Sequence, residues 1–169
     1  MAPRLLFRWC DRKRGKRGQR DPQGCPLREG VTNRPFGIAG ESFANPMYLD
    51  KLVETVGAEP IPQYDQKLTR CGGALAFSEP DKSQKQIRDI VESACHHGAD
   101  MIVMPCLLCQ ANVEVYQSEI NRKKGTKLNM PVTCCSQLMT VAYGGGTKEA
   151  GLDGHIIQPT KLQVLAQKK

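Results

Sequence analysis

"MIVMPCLLCQ", residues 101–110, decides how the rest of the chain is read. Its first five residues carry no polar side chain, the pattern of a strand that a parallel sheet buries on both faces. Two cysteines three apart, Cys106 and Cys109, follow at once. They open "LLCQANVEVYQSEINRKKG", which reads as a helix closing on Arg122, Lys123 and Lys124 at its negative pole. A strand running straight into a helix places the cysteine pair at the carboxyl end of the strand, where open α/β sheets hold their ligands. Taken alone, the pair is open to three readings: metal ligands, a redox dithiol, or two small core residues.

Upstream, "NPMYLDKLVETVGAEP" reads as an amphipathic helix with Asn45 as cap, Pro46 at the first helical position and Gly57 at its end. Tyr48, Leu49, Leu52, Val53 and Val56 repeat at three and four along it. A short extended stretch then runs into Cys71-Gly72-Gly73, where two glycines allow a tight turn and a close backbone approach. "SEPDKSQKQIRDIVESACHHGAD" is a second helix, with Ser78 as cap and Pro80 in its first turn. Ile87, Ile90, Val91, Ala94 and Cys95 share one face, which predicts that Cys95 is a small core residue. Downstream, "MPVTCC" reads as a strand, "SQLMTVAYGGG" as a helix and "PTKLQVLAQKK" as a last short helix. Alternating strands and helices with short links predict an α/β domain with a mostly parallel sheet flanked by helices.

The charge is distributed unevenly. The net charge is +7, and residues 1–20 hold eight Arg and Lys against one Asp, so the remaining residues sum to zero. The basicity belongs to a leader without interleaved stacking aromatics, so a nucleic-acid partner is not expected. Residues 1–23 read as a disordered basic leader and 24–169 as one cysteine-rich α/β domain, within the length a single core supports. No run approaches the ~18–20 apolar residues of a membrane span, and "MAPRLLFRWC" lacks the apolar core of a secretory signal. A cytoplasmic location is expected, and there eight cysteines point to metal binding or redox chemistry in preference to a disulfide framework.

A CxxC at a helix N-terminus suits thiolate chemistry, because unpaired N–H groups and the positive pole of the helix stabilise a negative sulfur. A thioredoxin-type dithiol needs only these two residues, usually behind an aromatic, whereas Met104 and Pro105 precede this pair. A zinc or iron–sulfur site needs about four thiolates, the others coming from distant loops. Cys71, in its glycine turn, and Cys25, in an irregular Gly- and Pro-rich stretch, are the natural candidates. Cys134 and Cys135 read as packing residues. His96 and His97 close a helix, where a capping role is expected, and His155 lies in a polar turn with no partner in view. No Ser/His/Asp set or paired carboxylates are visible, and "YGGGTKE" ends a helix instead of starting one, so it lacks the phosphate-cradling pole.

The segments "GC" at 24–25, "NPMYLDKLVETVGAEP", "TRCGGAL", "GADMIVMPCLLCQANVEVYQ", "MPVTCCSQLM" and "GLDGHIIQP" together resemble the cysteine-rich CCG module of the B subunit of heterodisulfide reductase, from about Gly24 onward. The likeness is to the second of the two modules that this full-length family member carries in tandem. It implies an iron–sulfur oxidoreductase subunit that passes electrons to a disulfide of the CoM-S-S-CoB type, or to a related sulfur substrate. Its implied partners are flavin and iron–sulfur subunits, with a second CCG module or a second copy of the chain completing the site. It also implies a noncubane 4Fe–4S cluster, with Cys25 matching the early ligand, Cys71 the second member of an adjacent pair, and Cys106 and Cys109 the CxxC. Arg70 stands where the family carries the first cysteine of that pair. The four remaining thiolates also suit a cubane 4Fe–4S cluster or tetrahedral zinc. The alternatives are therefore a structural zinc module for complex assembly and a degenerate fragment without a redox role.

Overall fold

The computed structural model describes residues 4–7, 25–27, 45–61 and 63–167. Strands β1 (Arg4–Phe7), β2 (Cys25–Leu27), β3 (Met101–Met104) and β4 (Val132–Cys134) form one sheet. β2, β3 and β4 run parallel, with Pro26 opposite Val103, and Ile102, Val103 and Met104 opposite Val132, Thr133 and Cys134. β1 runs antiparallel to both β2 and β3. The expected α/β architecture with a largely parallel sheet is therefore present. The leader differs from expectation at one place: Arg4–Phe7, read as part of a disordered tail, forms a strand, and its Leu-Leu-Phe run supplies the apolar residues a strand favours. Residues 1–3 and 8–23 of that leader lie outside the described residues.

Five α-helices accompany the sheet among the described residues: α1 (Tyr48–Thr55), α2 (Pro80–His96), α3 (Leu107–Lys124), α4 (Cys135–Ala142) and α5 (Thr160–Gln167). All four β3 residues are buried, as the apolar run predicts. α2 and α3 pack on each other, α3 lies against β3 and β4, and α4 packs on α5. Two helix starts differ from the sequence reading. Met47, not Asn45, caps α1, and Glu79, not Ser78, caps α2, with Pro80 at the first helical position where its missing N–H costs nothing. Cys95 is also corrected: Ile87, Ile90, Val91 and Ala94 are buried, but Cys95 is exposed at the edge of that stripe.

The buried ion pair between Lys67 and Asp50, at 3.2 Å, ties α1 to the segment that leads into Cys71. α3 is held differently, through polar side chains on a buried face. The amide of Gln117 accepts from Met130 N–H at 2.9 Å and donates to Met130 C=O at 2.9 Å, while Asn121 does the same for Leu128 at 2.7 and 2.8 Å. These two residues satisfy the backbone that feeds β4 where no neighbouring strand does so. Gln117→Met, which keeps the volume but strands two buried backbone groups, should lower the unfolding free energy by about 1–3 kcal/mol per stranded group. Urea titration checks this against Ser118→Ala, an exposed neighbour expected to change it by less than about 0.5 kcal/mol.

Candidate functional site

The carboxyl edge of the sheet gathers Cys71, Cys106, Cys109, Cys134 and Cys135, whereas Cys25 lies at the amino end of β2. Cys106 follows β3 as the extended N-cap residue of α3, with φ −115° and ψ 125°, and Cys109 lies in the first helical turn, as the spacing predicts. Cys109 is buried and Cys106 partly exposed. Between them Leu107 and Leu108 face solvent, 65% and 80% exposed.

Cys71 reaches the same edge from the other side of the fold. Its sulfur lies 3.1 Å from Cys109 Sγ and accepts the Gly73 N–H at 3.4 Å, while Asn112 of α3 donates to its carbonyl at 2.7 Å. Gly72 makes this approach feasible. It sits at φ +76°, in the left-handed region, and a Cβ there would fall 2.9 Å from the Ser83 Cα of α2. The expected close approach at the glycine pair is thus onto α2, and it delivers the Cys71 thiol to the CxxC.

Of the four sequence-predicted ligands, Cys71 and Cys109 are brought together and Cys106 stands at the same helix start. Cys25 opens β2, where its backbone is placed by the pairing of Pro26 with Val103; its side chain lies outside the described residues. Among the described residues, no three His, Cys, Asp or Glu side chains converge in a metal-holding group. Arg70 is exposed. The donor chemistry nonetheless suits a thiolate-bound metal. Two soft sulfurs meet beside a helix N-terminus, an electropositive setting that favours deprotonated ligands.

A second group of side chains, not foreseen from the sequence, borders this edge. His155, read as lacking a partner, is buried and paired with Glu114 of α3, its Nδ1 lying 3.1 and 3.2 Å from the two carboxylate oxygens. Glu114 also accepts the N–H groups of Ile156 at 2.7 Å and Ile157 at 3.1 Å. Burial pushes the Glu114 carboxyl up, but His155 and these N–H groups more than offset it and hold it below the usual carboxylate range. His155 Nε2 lies 3.2 Å from Gln137 Oε1 and 3.4 Å from Gln110 Nε2, so it touches the first turns of both cysteine-bearing helices.

Gln137 Oε1 also accepts the Cys134 N–H at 2.9 Å. Cys134 and Cys135, read as packing residues, occupy the N-cap and first position of α4, the former buried and the latter partly exposed. Polar neighbours, first Cys135 and then the Ser136 hydroxyl and nearby backbone N–H groups, hold the Cys134 thiol below its ordinary range against the effect of burial. Cys134 in turn pushes Cys135 up. His97 behaves as expected of a helix end, its Nδ1 2.9 Å from the Ser93 carbonyl.

One signal could have revealed the polar group. Gln110, Glu114, Gln117 and Asn121 fall four, three and four residues apart, a stripe on one helical face that ordinarily reads as solvated.

No family model matches the chain. Over 122 residues it is 32% identical to the 8-methylmenaquinol:fumarate reductase membrane anchor subunit of Wolinella succinogenes, covering 72% of this chain and 43% of that protein. Over 137 residues it is 29% identical to the B subunit of a ferredoxin:CoB-CoM heterodisulfide reductase from Methanosarcina mazei, covering 80% of this chain and 44% of that protein. The B subunit of a ferredoxin/F(420)H(2)-dependent CoB-CoM heterodisulfide reductase from Methanosarcina acetivorans is 31% identical over the same length and shares. The chain spans less than half the length of these relatives. No described helix is long and apolar enough to cross a membrane.

The Glu114 pair makes a testable statement about acid stability. Its folded carboxyl titrates below the ordinary value of 4.5, so it stabilises the fold above that pH, and the contribution is lost as pH falls through the folded value. Glu114→Gln should flatten the acid limb of the stability profile and cost about 1–3 kcal/mol at neutral pH through poorly satisfied buried donors. Urea unfolding at stepped pH reads both effects.

Proposed function

We propose that this chain, which belongs by sequence to the heterodisulfide reductase B-subunit family, is an iron–sulfur redox subunit that passes electrons to a disulfide or related sulfur substrate within a multisubunit complex. The observation that carries the reading is the 3.1 Å meeting of Cys71 and Cys109 at the sheet edge where α3 begins.

Cys71, Cys106, Cys109 and, from β2, Cys25 are the residues that would hold the metal. A 4Fe–4S cluster bound there, noncubane or cubane, supplies one-electron exchange that thiols alone do not. The chain's own contribution is electrostatic and positional. The first-turn N–H groups of α3 favour anionic sulfur at its N-terminus, and the Gly73 N–H does so at Cys71. Asn112 donates to the Cys71 carbonyl and so ties the glycine turn to α3. The exposed Leu107 and Leu108 between the two thiols offer apolar surface of the kind that a partner protein covers. Flavin and iron–sulfur subunits, and a second CCG module or a second copy of the chain, are the partners of this reading, and the reducing cytoplasm is the compartment that suits so many thiols.

Arg70 favours one competing reading. With the first cysteine of the family's pair replaced and the arginine exposed, four thiolates are left, a number that also suits tetrahedral zinc in a structural module. Anaerobic purification with iron, sulfide and zinc analysis separates the two. A brown protein containing iron and sulfide in comparable amounts is the expected result; a colourless protein carrying zinc would sink the redox reading. Cys106→Ala should lose most of the bound metal, whereas Cys95→Ala, at an exposed position on α2, should retain it.

A further inference from the structure

We propose that Cys71 and Cys109 are a dithiol switch on the metal site. With no metal between them, a small-molecule disulfide oxidises them to an internal disulfide, which closes the site to metal until a thiol reductant reopens it. The oxidation stands on the geometry of the two side chains, while its consequence for loading rests on the reading of both as metal ligands.

A disulfide bond is about 2.05 Å long, so two sulfurs 3.1 Å apart need to close by only about 1 Å. Both sides of that approach are built. Cys109 stands in the first turn of α3, and Asn112, one turn on, donates to the Cys71 carbonyl at 2.7 Å. The Gly72 turn brings Cys71 there, and its contact with Ser83 of α2 leaves no room for a Cβ. The Gly73 N–H, 3.4 Å from Cys71 Sγ, favours the anionic sulfur that thiol–disulfide exchange requires. A fold that holds two thiols in contact gives each a high effective concentration at the other. It therefore favours the internal disulfide over two mixed ones. Cys134 and Cys135 lack this advantage: adjacent Cα atoms are about 3.8 Å apart, short of the roughly 4.4–6.8 Å that disulfides prefer. Cys71 and Cys109 are 7% and 8% exposed, which slows the arrival of the oxidant and leaves the equilibrium unchanged.

The exchange balances in two steps. One cysteine of the pair gives up its proton, and its sulfur attacks the small disulfide. That S–S bond breaks, a mixed disulfide forms, and the first small thiolate leaves with the proton. The other cysteine then gives up its proton and attacks the protein sulfur of the mixed disulfide, and the second small thiol departs. The pair loses two electrons and the small disulfide gains them. Two of the four thiolates of the site are thereby withdrawn from any metal.

Trypsin leaves Cys71 in residues 71–82, Cys95, Cys106 and Cys109 in 89–122, Cys25 in 21–28, and Cys134 and Cys135 in 128–148. The full-length chain is equilibrated anaerobically with a chelator in stepped mixtures of reduced and oxidised glutathione, quenched in acid, alkylated and digested. As the mixture becomes more oxidising, the first linkage should join 71–82 to 89–122, with fragment ions placing it at Cys109. In guanidinium the fold no longer closes the 38-residue separation, and the shorter Cys106–Cys109 linkage should replace it. Cobalt(II), whose bonds to thiolate absorb in the near ultraviolet, then probes loading. The oxidised chain should lose most of the absorption that the reduced chain develops, and dithiothreitol should restore it. A first linkage through Cys25, Cys95, Cys106 or Cys134 overturns the proposal. So does a Cys71–Cys109 linkage that forms equally well in guanidinium, or an oxidised chain that binds as much cobalt as the reduced one. Iron and sulfide analysis of the untreated chain reports separately on the cluster, so failure of one reading leaves the other measurable.

Discussion

Buried peptide groups must find partners, and in this chain much of that demand falls on a single helix. α3 carries polar side chains into the interior on more than one of its faces, where apolar residues would ordinarily sit. Asn112 takes the Cys71 carbonyl, Glu114 the N–H groups of Ile156 and Ile157, Gln117 both backbone groups of Met130, and Asn121 both of Leu128. Each contact ties a different irregular segment to the same rigid body. The three-residue β4 and the glycine turn have few strand hydrogen bonds of their own, so their positions depend on these side chains. An amide or carboxylate in such a place contributes little net stability when satisfied and is costly to remove, so these side chains specify where loops go more than how firmly the core holds.

The elements defined by apolar period were legible. The MIVM run, the strand at Val132–Cys134 and the helices that follow each strand fall where hydrophobic pattern and punctuation place them. The CxxC at the start of α3 was legible for the same reason, since a strand that ends in a helix start has only one sheet edge to occupy. Helix caps were not. Asn45 and Ser78 are good capping residues by type, yet the helices begin at Tyr48 and Pro80, with Met47 and Glu79 in the cap positions. Local propensity at a helix end is worth about 1 kcal/mol, small enough for the packing of Leu49 and Ile87 to choose the frame.

The polar network was illegible for a stronger reason. A stripe of Gln, Glu, Gln and Asn at helical spacing is what a solvated face looks like, and no single-residue rule separates it from a buried one. His155 and Glu114 are 41 residues apart, and Gln137 lies 18 residues from His155. Only the fold brings them together. Cys95 erred in the opposite direction: its type is usually buried, but it lies one step beyond the stripe that Ile87, Ile90, Val91 and Ala94 bury. Residue type is a prior about burial, whereas angular position on the helix decides it.

This arrangement bears on how the thiols of the sheet edge differ. Cys71 and Cys109 are joined across the fold, and their separation depends on the Gly72 turn and on Asn112, elements remote in sequence. Cys134 and Cys135 are neighbours whose geometry is set by one strand–helix junction and the clamp of Gln137. A pair assembled from distant segments suits a ligand that bridges them, because bound metal repays the loss of freedom at both ends. His155 joins the two settings, since its Nε2 meets Gln110 beside Cys109 and Gln137 beside Cys134. The ring of His155 thus stands between the α4 turn and the helix that carries the CxxC, within about hydrogen-bond length of a side chain on each.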